Sequence, residues 1–565
     1  MAEFPESVDV VIVGAGPVGV LLAYQFARFG CRPFIIEQED KTLLDPYGRA
    51  CTLWPRTIEL LDQLDLAERL LQAGVITRTS LHFHELGTPS KGRLDVWKPD
   101  GQARWFSFVV ASLTEFNATC RRHILQICRL IEEEFTLALE EYGHELRMRH
   151  AIESFTIGEE AGNEYPIRVH VRDLAHDRVT QIKTRYLIGA DGGKSTVRKL
   201  ASISFDGENT SKRWIRMDAR VKTNMPNPRS LNSIASRSHG QILWCPNDNG
   251  LTRIGYVFSP ALLEKYGGVE GVTLEVAIEE AKEALQPFEV EFESVEWFTI
   301  YGIGQRIAGR FSNEGNRVFL AGDACHTHSS GSAQGLNTGI HDAVNLAWKL
   351  ALHIRGIAQD SLLASYDEER RPVVQQVIDN DKTISMLISG EYPPRFQGRT
   401  ESTRDILTEW FDDMNMQAFT LGLVPNLINR EANGPSRATV NPGERGPDVY
   451  LTSIGYESVL HEEWAEARLT TYYYAELSFP AQAFKWFTIP SVAGNGGQEV
   501  LGTIPKGKVY FDEGVKAHEI YGVDIYKGAV VVFRPDGWVG TVVELNENGV
   551  DGLIAYFDLI LKQGK

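Results

Sequence analysis

A glycine pattern near the start of the chain limits its fold more than any other feature. Gly14-Ala15-Gly16-Pro17-Val18-Gly19 follows a Val/Ile-rich run, Val8 to Val13, and opens a stretch with apolar residues at helical spacing to Phe29. Gly30 ends that stretch, and Pro33 to Glu37 reads as a second short strand. Strand, glycine turn, helix and strand form a βαβ unit, and a Val/Ile run is how a buried parallel strand is written. Glu37 ends the second strand roughly 20 residues past the turn, where a dinucleotide-binding unit keeps an acid for a ribose diol. Gly14 permits the tight turn, Gly16 lets the backbone approach a pyrophosphate, and Gly19 lets helix and strand pack closely. The helix N-terminus offers N–H groups and partial positive charge to the phosphates. This unit alone does not choose between FAD and NAD. Glu37 argues against a 2′-phosphate here, because two anions would be forced together.

The bulk of the chain bounds the rest. With 565 residues it is too long for one core, so two or three domains are expected. Its formal charge of −18 repels phosphate backbones and anionic lipid, which makes nucleic acid and membrane surfaces poor partners. The six cysteines include no C-x-x-C pair and none beyond Cys325, as expected of reduced intracellular thiols. No basic segment followed by an apolar one opens the chain, and no apolar run reaches a membrane span. The expected location is cytoplasmic.

Further strand-to-turn segments follow. Tyr186 to Ala190 runs into Asp191-Gly192-Gly193, and Arg317 to Ala321 runs into Gly322-Asp323-Ala324. A carboxylate at Asp323, ending a buried strand, can bond a ribityl hydroxyl. The helix after Gly335 can face a flavin carbonyl with its N-terminus. A helical stretch is expected from Glu115 to Leu137, a hairpin around Asn247-Asp248-Asn249-Gly250, and helix continuing past Pro372 to Ile388. Asn433 to Pro447, rich in Gly, Pro, Asn and Arg, reads as a linker.

These motifs together resemble the single-component, FAD-dependent aromatic hydroxylases, and most closely their phenol hydroxylase branch. The resemblance is carried by the fingerprint and by Tyr301-Gly302-Ile303-Gly304-Gln305-Arg306, Gly322 to Ser329, Gln334-Gly335-Leu336-Asn337-Thr338, Asn345 to Leu350, and Tyr366 to Pro372. It covers nearly the whole chain. It implies an α/β fold: a Rossmann-type FAD-binding domain interleaved with a β-sheet substrate domain, plus a C-terminal thioredoxin-like domain. The implied boundaries are 1–80, 113–202 and 306–390 for FAD binding, and 81–112 and 203–305 for substrate. A helical connection at 391–435 then leads into the last domain at 436–565.

The resemblance also implies roles. Gly14, Gly16, Gly19 and Glu37 bind the ADP half of FAD, while Arg49, Arg122 and Gln126 approach flavin or its phosphates. Asp191 belongs to the motif tied to both FAD and NADPH. Asp323 holds the ribityl chain, and Gln334, Gly335, Leu336 and Asn337 lie beside the isoalloxazine. The implied reaction takes hydride from NADPH, with NADH as the alternative, and hydroxylates a small phenolic substrate with O2 through a flavin C4a-hydroperoxide. A homodimer is expected, with no metal: His326 and His328 beside Cys325 have no partner cluster visible in the sequence.

The chain departs from the branch at two places. Cys51 stands where phenol hydroxylases keep an Asp, and Ser330 replaces the usual proline before the flavin-facing loop. Another group must then deprotonate the substrate, or the substrate differs from simple phenol. Candidates are Tyr301 first, then Arg216, Asp218 and Tyr256. Trp214, Arg216 and Asp218 alternate on one strand and can line a pocket wall. Two other readings stay open: epoxidation or Baeyer–Villiger chemistry on the same fold, and a non-catalytic flavoprotein. The C-terminal domain lacks cysteine, which leaves it dimer contact or shielding of the site.

Overall fold

The computed structural model describes residues 4–42, 52–73, 75–77, 81–85, 88–94, 108–110, 127–158, 162–230, 232–246, 250–329, 333–407, 409–410, 426, 428–431, 439–447, 487–489, 508–509, 512, 515–525 and 527–562. Arg49, Cys51, Arg122, Gln126, Ser330 and the Asn247–Asn249 turn lie outside these residues. The chain divides into two compact units. The first comprises Met1–Lys98, Trp105–Ala343 and Val374–Ala418; the second comprises Pro99–Arg104, Val344–Val373 and Phe419–Lys565.

The first unit opens with β1 (Ser7–Val13), α1 (Pro17–Arg28) and β2 (Pro33–Glu37). β1 is buried on both faces between β2 and β3 (Arg178–Gly189), and it pairs with both in parallel. Ile12 stands opposite Ile35 on one side and Ile188 on the other. Each such side chain contributes about 1.5–3 kcal/mol by burial. Asp9 interrupts the apolar run, and its carboxylate accepts the Arg32 N–H at 2.9 Å and faces Arg185 at 3.3 Å. The short strand Val318–Leu320 extends the sheet beyond β3, again in parallel.

Two glycines in the first turn are demanded by contact. Gly14 has φ +100°, and a Cβ there would lie 2.4 Å from the Ala190 carbonyl oxygen. A Cβ at Gly19 would lie 1.9 Å from the Gly14 oxygen. The helix crosses the strand end so closely that only hydrogen fits.

A second, eight-stranded sheet takes strands from 81–94 and 205–327. Its centre is β4 (Phe205–Thr223), paired with β5 (Thr252–Phe258), and α2 (Leu274–Ala284) covers one face, with β6 (Val290–Ala308) flanking β4 on the other side. Ile215 and Met217 of β4 and Ile254, Tyr256 and Phe258 of β5 bury against the alanines of α2. Strand alternation therefore turns Trp214, Arg216 and Asp218 to the opposite face.

Helices α3 (Gly335–Ile354) and α4 (Ser361–Ile388) each have one part in either unit. The helix expected from Glu115 is described over Ile127–Glu140. In the second unit, the hairpin β7 (Ala529–Phe533) and β8 (Val539–Glu544) turns at Arg534-Pro535-Asp536-Gly537, with Gly537 at φ +71°. A closing helix follows at Glu547–Asp558, capped by Asn546 accepting from the Gly549 N–H. Arg534 is more than a turn residue. Its guanidinium bonds Glu369 at 2.5 and 2.9 Å and Asp536 at 2.6 Å. Lys349 reaches Glu369 at 2.7 Å, and Asn345 and Asn429 donate to the same carboxylate.

All four charges are buried, and they balance two against two. Burial opposes ionisation of Glu369, but Arg534 and Lys349 outweigh it and hold its carboxyl far below the usual carboxylate range. Burial pulls Lys349 down to about 8, against the pull of Glu369. These contacts explain why the second unit includes 344–373, where a boundary near 436 was expected.

Glu369→Gln leaves two buried cations facing one carboxylate. It is expected to destabilise the second unit by about 3–5 kcal/mol, read as a shift of its transition in urea to lower concentration. A shift no larger than that of an exposed control such as Glu368→Gln would refute the role.

Candidate flavin and substrate site

The first βαβ unit supplies an anion cradle. Helix α1 begins with Pro17 at its first position, and Gly16 makes no side-chain cap, so the first-turn N–H groups stay available. Gly16 differs from its neighbours, since a Cβ there would meet nothing within 4 Å. The protein does not need glycine at 16 for its own packing, whereas a pyrophosphate laid on the turn does. Glu37 accepts the Ala15 N–H at 2.8 Å and the Glu39 N–H at 3.0 Å. Each oxygen keeps a lone pair for a ribose hydroxyl. Lys41, not anticipated from sequence, bonds the Ala15 oxygen and Glu132.

The two later turns meet this one. Gly14 packs on Ala190 and Asp191, and Gly322 and Gly339 pack on Val18. Asp191 spends its carboxylate on the chain: it accepts from Ser195 Oγ at 2.5 Å and from the Thr196 and Val197 N–H groups. Those N–H groups open the short helix Thr196–Leu200, whose N-cap is Ser195, with its hydroxyl accepting the Arg198 N–H. Arg198 of that helix bonds the Ala324 and Gly193 oxygens at 2.6 and 2.9 Å, tying the Asp191 turn to the Asp323 turn. Asp323 itself is exposed and has no hydrogen-bond partner among the described residues, which suits a carboxylate meant for ligand hydroxyls.

Behind Asp323 lies a cluster the sequence reading did not see. Asp342 of α3 accepts the Gly322 N–H at 3.1 Å and bonds His326 Nε2 at 2.6 Å, with Cys325 Sγ alongside. Cys325, His326 and Asp342 offer ligand atoms within 4.8 Å of one another. The Asp342 oxygen already serves two donors, so the group acts as a brace for the turn.

The residues on either side of 330–332, the segment expected to face the flavin, are each held by side chains far along the chain. Ser329 donates its N–H to Asp381 at 2.8 Å and its hydroxyl at 2.5 Å. At the far end Ala333 adopts φ +53°, and its oxygen accepts from Trp54 Nε1 at 3.2 Å and Asn337 Nδ2 at 2.8 Å. Asn337 also accepts the Trp54 N–H at 2.8 Å. Asn337 is thus a loop brace, while Gln334, Gly335 and Leu336, half-buried at the start of α3, form the surface beside it. His328 points its ring at Gly335 and bonds the Ser329 oxygen through Nδ1.

The same Asp381 accepts Gln305 Nε2 at 2.8 Å. Gln305 lies on β6 four residues after Tyr301, on the same face of the strand. That face of the second sheet therefore packs on α4, where Asp381 joins Gln305 to Ser329 and Ile388 meets Trp214, Val257 and Tyr301. Across the strands it presents Val257–Trp214–Tyr301, then Gly255–Arg216–Thr299, then Arg253–Asp218–Trp297. Of the four substrate-side candidates, the structure puts Tyr301, Arg216 and Asp218 together here. Asp218 is fully buried and takes a bidentate pair from Arg253 at 2.8 and 2.7 Å. Tyr256 is placed elsewhere, and this corrects its expected role. It faces α2, donates its hydroxyl to the Ala277 oxygen at 2.6 Å, and burial pushes its pKa far up. Tyr256, Trp214 and Tyr301 lie on three different strands, so the sequence could not say which of them share a face.

A family model described as FAD binding domain matches residues 7–381, and one described as phenol hydroxylase, C-terminal dimerisation domain matches residues 482–565. The chain is 26% identical to a 3-hydroxybenzoate 4-monooxygenase of Comamonas testosteroni, covering 99% of this chain and 95% of the relative. It is also 26% identical to the phenol 2-monooxygenase fsqG of Aspergillus fumigatus, at 99% and 97% coverage. Among solved structures, the flavin-dependent monooxygenase PieE with FAD and substrate superposes with TM-score 0.73 at 19% identity, covering 98% of this chain and 99% of that one. A ternary complex of aklavinone-11 hydroxylase gives 0.70 at 19% identity, covering 99% of each chain. With the FAD-binding model spanning two thirds of its length, the chain belongs to the FAD-binding-domain family of single-component monooxygenases, the group A aromatic hydroxylases.

Proposed function

We propose that the enzyme uses NADPH and O2 to hydroxylate a phenolic ring, with Tyr301 as the group that meets the substrate oxygen. The single observation that supports this reading is the Asp381 bridge, which ties Gln305, on the Tyr301 face of the sheet, to Ser329, next to the segment expected to face the flavin. Bound FAD supplies reduction and oxygen transfer. Gly16, the first turn of α1, Glu37 and Asp323 would hold it, and the Ala333–Asn337 brace would seat its ring. NADPH is assigned on the resemblance and on Glu37, whose site takes the FAD ribose and so leaves the pyridine nucleotide a different place. The relatives named for phenol and 3-hydroxybenzoate support a phenolic substrate.

The chain's own work is then to orient the ring, exclude water and manage one proton. An ionised phenol has the more nucleophilic ring, so a donor or cation beside its oxygen favours reaction. Tyr301 can hydrogen-bond that oxygen, and Arg216 brings positive charge to the adjacent row. Asp218 is committed to Arg253, which leaves Tyr301 as the stronger candidate. The matched dimerisation segment supports a homodimer. Among the described residues no helix is long and apolar enough to cross a membrane; charge and cysteine pattern favour the cytoplasm.

Tyr301→Phe is expected to keep FAD bound and to cut hydroxylated product per NADPH by about tenfold or more; unchanged coupling would remove Tyr301 from the mechanism. Asp381→Asn loses acceptors for Ser329 and Gln305, about 1–3 kcal/mol of loop anchoring. The expected result is a larger share of NADPH ending as H2O2, because a loosened loop admits water. Ser385→Ala serves as control, since Ser385 touches Gln305 only at 3.4 Å. Peroxide yield equal in the two variants would count against the clamp.

A further inference from the structure

We infer that Ser238, His239 and Glu280 form an acyl-transfer site, at which the Ser238 hydroxyl attacks a small aryl ester. The site lies on the second sheet and needs neither flavin nor NADPH, so it stands apart from the hydroxylase reading. Arg237-Ser238-His239 is the turn of the hairpin between Asn232–Ser236 and Gly240–Pro246. Ser238 is exposed, while the side chains of His239 and Glu280 are 1% and 3% exposed. Ser238 Oγ lies 2.7 Å from His239 Nδ1, and His239 Nε2 lies 3.1 Å from Glu280 Oε2. An accessible hydroxyl, a buried imidazole and a buried carboxylate in that order make a serine nucleophilic, and such a set is recognised by geometry and roles, whatever its place in the chain. Ser238 meets Nδ1, the nearer nitrogen, because the two residues are adjacent. Either ring nitrogen can serve as base while the other donates.

The fold holds each member in place. The His239 ring meets Tyr256 edge-on, with centroids 5.4 Å apart. Gly240 has φ +70°, and a Cβ there would lie 2.5 Å from the Ile388 oxygen, so the turn sits directly on α4. Ser236 Oγ accepts the Ser238 and His239 N–H groups at 3.4 and 3.3 Å, which closes the turn. Glu280 comes from α2, and its other oxygen takes Lys265 Nζ at 2.8 Å and the Tyr266 hydroxyl. Burial opposes ionisation of Glu280, yet those two donors outweigh it and hold its carboxyl below the usual carboxylate range. Burial pulls the His239 pKa down against Glu280, so the ring is neutral near pH 7 and Nδ1 keeps a lone pair for the Ser238 proton. Nε2 stands off the hydrogen-bonding line to Glu280; catalytic bonds often tighten only once substrate is bound. Arg237, exposed on the same turn, can bring positive charge to the acyl oxygen.

In the first step a bond forms between Ser238 Oγ and the carbonyl carbon, and the bond from that carbon to the aryl oxygen breaks. The hydroxyl proton passes to His239 Nδ1 and from there to the departing aryl oxygen. Water then cleaves the acyl-serine by the same route, which releases the carboxylic acid and restores Ser238. Water is the only co-reactant. The test adds p-nitrophenyl acetate to the FAD holoenzyme without NADPH and follows p-nitrophenolate, while a fluorophosphonate probe and peptide mapping locate the reactive residue. The expected result is release about 100-fold or more faster than in Ser238→Ala, with the probe on Ser238. His239→Gln should lose release to the same extent. Glu280 acts through His239 as a positioning residue, so Glu280→Gln should lower kcat about tenfold or more with KM unchanged. Ser238→Ala alters an exposed side chain and should keep the wild-type FAD content. Wild-type release no faster than in buffer overturns the inference, whether or not the buried variants fold. Release that survives Ser238→Ala, a probe found elsewhere than Ser238, or an unchanged kcat in Glu280→Gln also overturns it. None of these results bears on the hydroxylase reading, which stands or falls on product from phenols.

Discussion

Asp381 is fully buried, and its oxygens take hydrogen bonds from the Ser329 backbone, the Ser329 hydroxyl and the Gln305 amide. Three partners from a loop and a strand meet on one carboxylate in helix α4. A buried carboxylate is tolerable only when its lone pairs are filled, and filling these fixes two surfaces against each other. Ser329 and the face of the second sheet carrying Tyr301 are held by the same group. The arrangement makes position, not reactivity, the contribution of Asp381.

The chain uses a second buried carboxylate differently. Glu369 is satisfied by cations, Arg534 and Lys349, and by asparagine amides. Charges that far from water repay their desolvation only with close geometry and full pairing. The two carboxylates lie on one helix, α4, yet each serves its own unit. Asp381 organises a site made mostly of neutral donors, where a ligand must come and go. Glu369 locks a cluster that nothing enters.

Much of the cofactor end was legible in the sequence. The glycine turn, Glu37 and the Asp323 segment are local signals, because each depends on backbone geometry within a few residues of the motif. Their helical and strand contexts follow from periodicity. Asp342, Asp381, Arg198 and Trp54 were not legible. Each acts on a partner far away along the chain, and none of them carries a local motif. Asp191 was read as a ligand-side residue, and its carboxylate also accepts from Ser195 and from the first N–H groups of the next helix. Arg534 read as part of a turn and proves to be the centre of an ion cluster, because a turn motif says nothing about what its side chains reach.

The substrate side divides in the same way. Alternation along Trp214-Ile215-Arg216-Met217-Asp218 fixes that Trp214, Arg216 and Asp218 share a face, since successive residues of a strand point oppositely. It leaves open which face is buried under α2 and which meets the loop. Only the tertiary structure decides that, through the Ala277 contact that claims Tyr256 and the Gln305–Asp381 bond that turns the Tyr301 face toward α4. By itself the sequence determined the nucleotide-binding turn, because that geometry is written within a single βαβ unit. The folded chain decided which residues share the candidate substrate face, because they come from three strands and pairing sets Trp214 beside Tyr301, 87 positions further on.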